Sequence, residues 1–229
     1  TQGVSSAASD VYKRQMLALL KTGDHVISSS FLFGNTNSFF ETLKRLGIEV
    51  SFVDATQAKF VEEAVRENTK IVFTETIANP VTQVADLVGI GQVCKDKNLV
   101  YIVDNTMTSP FSFKPKTVGA SLIINSLTKY IGGHGNALGG MVTDTGIHNW
   151  ETFDNIIKTY RSEKPELWGI TQIKKKGLRD MGSSLGPEAA HHLAVGSETL
   201  TMRMERASSN ALQMVKFCSE HKKVRATYY

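Results

Sequence analysis

The sequence predicts an α/β fold: a mostly parallel β-sheet lying between helices. Two observations carry that expectation. Apolar runs of strand length recur along the first 150 residues, and the segments between the first five have helical spacing or suitable length. Strand, helix and strand in repeated alternation require crossover connections, hence parallel neighbours covered on both faces. The first run is HVISSS (25–30), followed by NTNSFFETLKRLG (35–47), which reads as the first helix. The second is IEVSFVD (48–54), with AKFVEEAVRENT (58–69) as the next helix, and the third is KIVFTET (70–76), with ADLVGIGQVCKDKN (85–98) after it. LVYIVDN (99–105), apolar enough to be buried on both faces, and ASLIINS (120–126) are the fourth and fifth, and LGGMVTD (138–144) reads as a sixth strand. After about residue 150 the pattern changes. WETFDNIIKTYRSE (150–163) reads as a helix, GSSLGP (182–187) as a break, and the stretch from Glu188 to His221 as helices again. VRATYY (224–229) looks like the start of a further strand. Residues 1–190 are therefore read as a large domain, and residues 191–229 as a linking helix and the start of a second one.

Composition narrows the function classes. The chain has 229 residues, 41% hydrophobic and 21% charged, enough to bury roughly 70% of its unfolded surface. No apolar stretch approaches the ~20 residues of a membrane span, and TQGVSSAASDVYKRQ at the amino terminus lacks a basic-then-apolar signal pattern, so a cytoplasmic location is expected. Cys94 and Cys218 are too far apart in sequence for a disulfide framework or a zinc spacing, and both are expected to be buried and inert. The net charge of +4 comes largely from KKK (174–176) and HKK (221–223), which read as solvated helix faces. A nucleic-acid partner is not expected.

In a parallel sheet flanked by helices, ligands sit beyond the carboxyl ends of the strands. The residues there are Phe33, Asn79, Asp104, Ser126, Thr128 and Lys129. The most distinctive stretch is NSLTKYIGGHGNALGG (125–140), a lysine behind a serine and a threonine with five glycines among residues 132–140. Its G-x-G spacing argues weakly for a dinucleotide, because such a loop must open a helix and this one leads into a strand. Ser126 and Lys129 also spell the S-x-x-K of serine acyl-enzymes, yet the serine here ends a strand and KTG (21–23) precedes it rather than following. Taken alone, Lys129 reads as a surface lysine before a glycine turn. Asp104 changes the balance. It ends an apolar strand, where an unpaired carboxylate is costly, although a helix-capping aspartate would also fit. A lysine able to form an imine, an aspartate able to hold a ring nitrogen protonated and two hydroxyls for a phosphate together meet the needs of pyridoxal phosphate.

NSLTKYIGGHGNALGGMV, VDNTMTSP, ETIANPVTQVADL, LLKTGDHVISSSFLFGNT and ETLTMRMERASSNAL resemble successive blocks of the pyridoxal-phosphate enzymes of cysteine and methionine metabolism, across nearly the whole chain. The resemblance implies the aspartate-aminotransferase-like architecture (fold type I). It implies Lys129 as the covalent anchor of the cofactor, Asp104 as partner of its pyridine nitrogen, and Ser126 and Thr128 on its phosphate with the backbone amides of Gly3 and Val4. Asn79 would bond the phenolic oxygen. Phe33 stands where the family usually places a tyrosine stacked on the ring, so stacking is retained and a hydroxyl is lost. ASDVYKRQ (8–15) interrupts what should be an apolar helix.

Among family activities, the blocks are most similar to members that exchange the acetoxy group of O-acetylhomoserine for sulfide or a thiol. Cystathionine γ-synthase or γ-lyase chemistry is the alternative. Asn35 stands where methionine γ-lyases typically carry a cysteine, which lowers that option. The resemblance further implies a homodimer or homotetramer. It places an amino-terminal arm before Thr1 and a carboxylate-binding domain beyond Tyr229, so the chain is expected to be a fragment that is inactive by itself.

Overall fold

The computed structural model describes residues 16–182 and 184–229. Gly3, Val4 and ASDVYKRQ (8–15) lie outside the described residues. Six strands form one sheet: β1 (His25–Ser29), β2 (Glu49–Val53), β3 (Thr69–Glu75), β4 (Val100–Asp104), β5 (Leu122–Ser126) and β6 (Gly140–Asp144). Their spatial order is β2-β1-β3-β4-β5-β6, parallel throughout except for β6, which runs antiparallel to β5. The crossovers are α1 (Gly34–Arg45), α2 (Ala58–Glu63) and α3 (Leu87–Asp96), with the short α4 (Ser109–Ser112) after β4.

Alternation along the strands builds two cores. Val26, Ile71, Phe73, Val100, Ile102, Leu122 and Ile124 point to one face, where they meet Phe39, Phe40 and Leu43 of α1 together with Met16, Leu19, Trp150 and Phe153. Ile27, Val72, Tyr101 and Val103 point to the other, against Val61 of α2 and Ile90 and Cys94 of α3. Helices on both faces explain why the central strands are apolar at every position rather than at alternate ones. Gly91 of α3 has no room for a side chain, since a Cβ would lie 1.8 Å from the carbonyl oxygen of Val118. That close approach seats the helix on the connection into β5.

Three expectations from the sequence need correction. Residues 150–163 do not form a helix; only two short 3-10 turns occur, Trp150–Thr152 and Lys158–Tyr160. Trp150, Phe153 and Ile156 are all drawn into the core, and their backbone is tied down by Gln172, which donates from Nε2 to the carbonyls of Ala18 (2.7 Å) and Asn155 (3.0 Å) and accepts from Ile157 N (2.8 Å). Burial and side-chain bonding replace the helical ladder in a segment of weak helix formers. Residues 224–229 form no strand and pair with neither edge of the sheet, β2 or β6. Cys218 is half-buried rather than buried, whereas Cys94 is buried.

Beyond β6 the chain continues through α5 (Trp168–Gln172), a wider helical turn (Ile173–Asp180), α6 (Pro187–Ser197) and α7 (Leu200–Glu220). Lys174 and Lys175 are exposed as expected, and Lys176 is spent on Asp180 at 3.0 Å. No helix among the described residues is long and apolar enough to cross a membrane.

Candidate active site

The carboxyl ends of β1, β3, β4 and β5 open into a cleft of ≈ 480 Å³. It lies where the sheet order reverses: β2 flanks β1 on one side and β3 on the other, so the loops that leave β1 and β3 diverge and leave space between them. Six of the residues marked from the sequence line that space: Phe33, Asn79, Asp104, Ser126, Thr128 and Lys129. The register explains the convergence. Glu75 pairs with Asp104, and Asp104 with Ile124, so the ends of β3 and β4 finish level and β5 runs two residues further, to Ser126.

Asp104 accepts from the backbone N–H of Thr106 at 2.9 Å, and the Thr106 hydroxyl in turn accepts from Ser126 N at 2.8 Å. One threonine therefore ties the end of β4 to the end of β5. Burial raises the Asp104 carboxyl above the usual aspartate range, and the bonds from Thr106 oppose the shift. The loop between Asp104 and α4 rules out a simple helix cap, because α4 begins at Ser109.

Glu75, which the sequence reading passed over, is a second carboxylate at this edge and is itself buried. Its Oε1 accepts from Phe33 N at 2.8 Å and its Oε2 from Asn79 N at 3.3 Å, so one side chain fixes the backbones of both loops that carry cleft residues. It is pushed up to about 7 by burial and further by the neighbouring Asp104 charge, while the two amide bonds pull the other way. The available signal was a carboxylate ending the apolar run KIVFTE, the same signal that marked Asp104.

Lys129 sits in a wide turn, Leu127–Ile131, that follows β5 directly. Its own φ of −87° and ψ of −124° leave the helical path, so the turn is closed around it by Gly132 N to Leu127 O and Gly133 N to Lys129 O, both 2.8 Å. The side chain is exposed on the cleft. The Ser126 hydroxyl is buried and has no hydrogen-bond partner. A polar group in that position is normally satisfied, so an acceptor from outside the protein is the natural completion. The Thr128 hydroxyl is differently placed: it accepts from Gly139 N at 3.0 Å and donates to Gly139 O at 3.3 Å. Phe33 caps the start of α1 and is 40% exposed at the mouth of the cleft, offering a flat apolar ring. The glycine stretch leads into β6, not into a helix, so it forms no dinucleotide loop. No group of three or more potential metal ligands occurs among the described residues.

Residues 3–229 match the family model described as the Cys/Met metabolism PLP-dependent enzyme. The chain is 34% identical to the O-acetyl-L-homoserine sulfhydrylase of Leptospira meyeri, over 94% of this chain and 54% of that protein. It is 37% identical to the L-methionine γ-lyase of Fusobacterium nucleatum subsp. polymorphum, over 92% and 49%. The crystal structure of a putative O-acetylhomoserine (thiol)-lyase from Campylobacter jejuni, which contains an N'-pyridoxyl-lysine-5'-monophosphate, superposes with a TM-score of 0.84 at 31% identity, covering 96% of this chain and 57% of that one. The chain thus spans about half the length of the curated relatives it matches. With the sheet, the cleft and the whole described sequence in agreement, the chain belongs to the family of pyridoxal-phosphate-dependent enzymes of cysteine and methionine metabolism.

Proposed function

We propose that the protein containing this chain catalyses γ-replacement on O-acetylhomoserine, with sulfide or a thiol as the incoming group and homocysteine or methionine as the product. The observation that carries the proposal is one cleft holding an exposed Lys129, a half-buried Asp104 and the unpartnered Ser126 hydroxyl. The residues present fit pyridoxal phosphate. Ser126 has a hydrogen to give a phosphate oxygen, Phe33 has a face for the ring, and the Asn79 amide has a donor for the phenolic oxygen. Thr128 joins them by turning its O–H away from Gly139 O, a long bond that is easily exchanged. Gly3 and Val4 complete the phosphate site in this reading.

When bound, the cofactor supplies an electron sink that makes the substrate α- and β-protons removable. The rest is work for the protein. Lys129 would anchor the cofactor through Nζ, and the same nitrogen, once freed, would take the substrate α-proton. Asp104, whose charge burial disfavours, would be ionised and paired when facing a protonated ring nitrogen. Phe33 would offer its ring face for stacking and has no proton to give, so proton transfer at the substrate carbons would fall to Lys129 or to water.

The sulfhydrylase and (thiol)-lyase names of two relatives support the replacement reading, and the pyridoxyl-lysine of the Campylobacter protein supports covalent attachment. The 37% identity to a protein named methionine γ-lyase favours a second reading, γ-elimination without an incoming thiol. Residues 1–190 form the cofactor domain in this proposal and residues 191–229 the link onward, in a cytoplasmic dimer or tetramer. Incubating the protein with excess pyridoxal phosphate and O-acetylhomoserine, with and without sulfide, separates the readings. Homocysteine formed only with sulfide supports replacement. A 2-oxo acid and ammonia released without sulfide support elimination, and neither product overturns both.

A further inference from the structure

Arg203 of α7 lies 74 residues beyond Lys129 in sequence and still lines the same cleft. Its guanidinium donates to four oxygens on two different elements. Nη1 reaches Tyr130 O (2.6 Å) and Nη2 reaches Ile131 O (3.2 Å), the two carbonyls immediately following the lysine. Nη2 also reaches Gly196 O (2.8 Å) at the end of α6, and Nε reaches the Thr199 hydroxyl (3.0 Å) in the α6–α7 elbow. None of these acceptors carries a formal charge, so the arginine is used for its fork of donors and not as half of an ion pair.

The packing around it is as close as backbone allows. A Cβ on Gly196 would stand 2.0 Å from Gly132 O, and one on Gly133 would stand 2.3 Å from the Arg203 guanidinium carbon. Gly133 also has a φ of +73°, which glycine adopts freely. A Cβ on Gly132 would meet Leu193 of α6 at 2.7 Å. Three glycines therefore let the elbow lie directly on the lysine turn, with Arg203 fastening the two together. The carbonyls of Tyr130 and Ile131 close the turn, where no further helical N–H reaches them, and Arg203 supplies their donors.

We infer that Arg203 is a positioning residue for Lys129: it sets the turn that presents the lysine to the cleft and makes that presentation depend on the α6–α7 elbow. The inference rests on the reading of Lys129 as the cofactor anchor, but it adds a device by which movement of α7 alters the anchor without touching the cofactor. Charge-assisted bonds to carbonyls are among the stronger ones available, so their loss frees the turn rather than merely loosening it.

The test compares the parent protein with Arg203→Ala, Arg203→Lys and Thr199→Val. Each is stripped of cofactor and mixed with pyridoxal phosphate, and the visible absorbance of the covalent product is followed in time and over pH. Borohydride reduction and peptide mapping then confirm Lys129 as the site, and circular dichroism and a melting curve report the fold. Arg203→Ala is expected to slow covalent capture about tenfold to a hundredfold and to shift the pH at which the absorbance titrates, at unchanged secondary structure. Arg203→Lys is expected to restore little, since one ammonium cannot span acceptors on both elements. Thr199→Val, which removes a single acceptor, is expected to slow capture about threefold to tenfold. Millimolar guanidinium is expected to recover part of the Arg203→Ala loss. Capture rate and titration unchanged in folded Arg203→Ala overturn the inference, and where that variant does not fold, unchanged values in Thr199→Val do so. A parent that captures no cofactor on Lys129 overturns the reading of the site instead.

Discussion

The two ends of the sheet hold similar residues in opposite states. At the amino end, the buried His25 is bonded through both ring nitrogens, to the Thr69 hydroxyl at 2.8 Å and to the Ser51 hydroxyl at 2.9 Å. Asp24, also buried, accepts from Lys21 N at 2.7 Å and from the Asn155 amide at 2.6 Å, and Asn68 donates to Gly23 O at 2.9 Å. At the carboxyl end, the Ser126 hydroxyl is buried without a partner, Lys129 is exposed, and Glu75 and Asp104 are both pushed towards the protonated form. At the amino end His25 and Asp24 are saturated by the protein, although Asn155 Oδ1 and Asp144 Oδ2 are buried there without a partner. Polar groups that serve a ligand are held in place and left incomplete, at some expense in stability. Of the buried side-chain polar atoms left without a partner among the described residues, the Ser126 hydroxyl is the one that belongs to a cleft-lining residue, so the contrast and the cleft together mark the site.

That contrast breaks first at Lys129. Lys129→Ala is expected to abolish covalent capture of pyridoxal phosphate after borohydride while leaving circular dichroism unchanged, because the side chain is exposed and supports no packing. Labelling of Lys114 or Lys116 in peptide maps of the parent would displace the assignment. Asp104→Asn comes next: it should retain cofactor but lose on the order of 10²-fold or more in turnover, measured as kcat, since a neutral amide cannot hold a proton on the ring nitrogen. Near-normal turnover would remove Asp104 from that role.

A smaller effect sharpens the comparison through pH. The folded-state value of Glu75 is about 7, above its ordinary 4.5, so between those values the folded cofactor-free protein holds a proton that the unfolded chain has released. Its contribution to stability is therefore full below about 4.5 and is lost as pH rises to about 7, on the order of 3 kcal/mol in all. Urea titrations across that window should show the decline in the parent and a flatter profile in Glu75→Gln. An identical slope in both would place the titration elsewhere. The smallest effect belongs to the amino end. His25→Leu should lower stability by about 1–2 kcal/mol by removing one bond each from the Thr69 and Ser51 hydroxyls, which keep their bonds from Arg66, with the capture of pyridoxal phosphate unchanged at equal folded fraction. A change in capture would dissolve the division between the two ends.

The chain's own pattern specified its strands closely. HVISSS, IEVSFVD, KIVFTET, LVYIVDN, ASLIINS and LGGMVTD all became strands within two residues of their expected ends; the central runs are apolar on both faces, and the edge runs IEVSFVD and LGGMVTD keep the apolar-polar alternation of a half-covered strand. Residues 150–163 were misread because Trp150, Phe153 and Ile156 mimic a helical stripe while they serve as loop anchors in the core. Asp104, Ser126 and Lys129 were legible at the carboxyl edge because strand ends can be counted from sequence. Glu75 and Arg203 were not singled out. Glu75 acts through backbone amides of other loops, and Arg203 comes from a helix some 74 residues away, and neither distance nor partner is written in local periodicity. The sequence by itself determined the alternation of strand and helix and which residues end each strand, because burial on two faces and a period of two or 3.6 are local properties. Only the tertiary structure decided which strand ends stand level, which hydroxyl is left unpartnered and which helix fastens the lysine turn. Those depend on sheet order, register and close backbone approach, and such relations exist only once distant segments have been brought together.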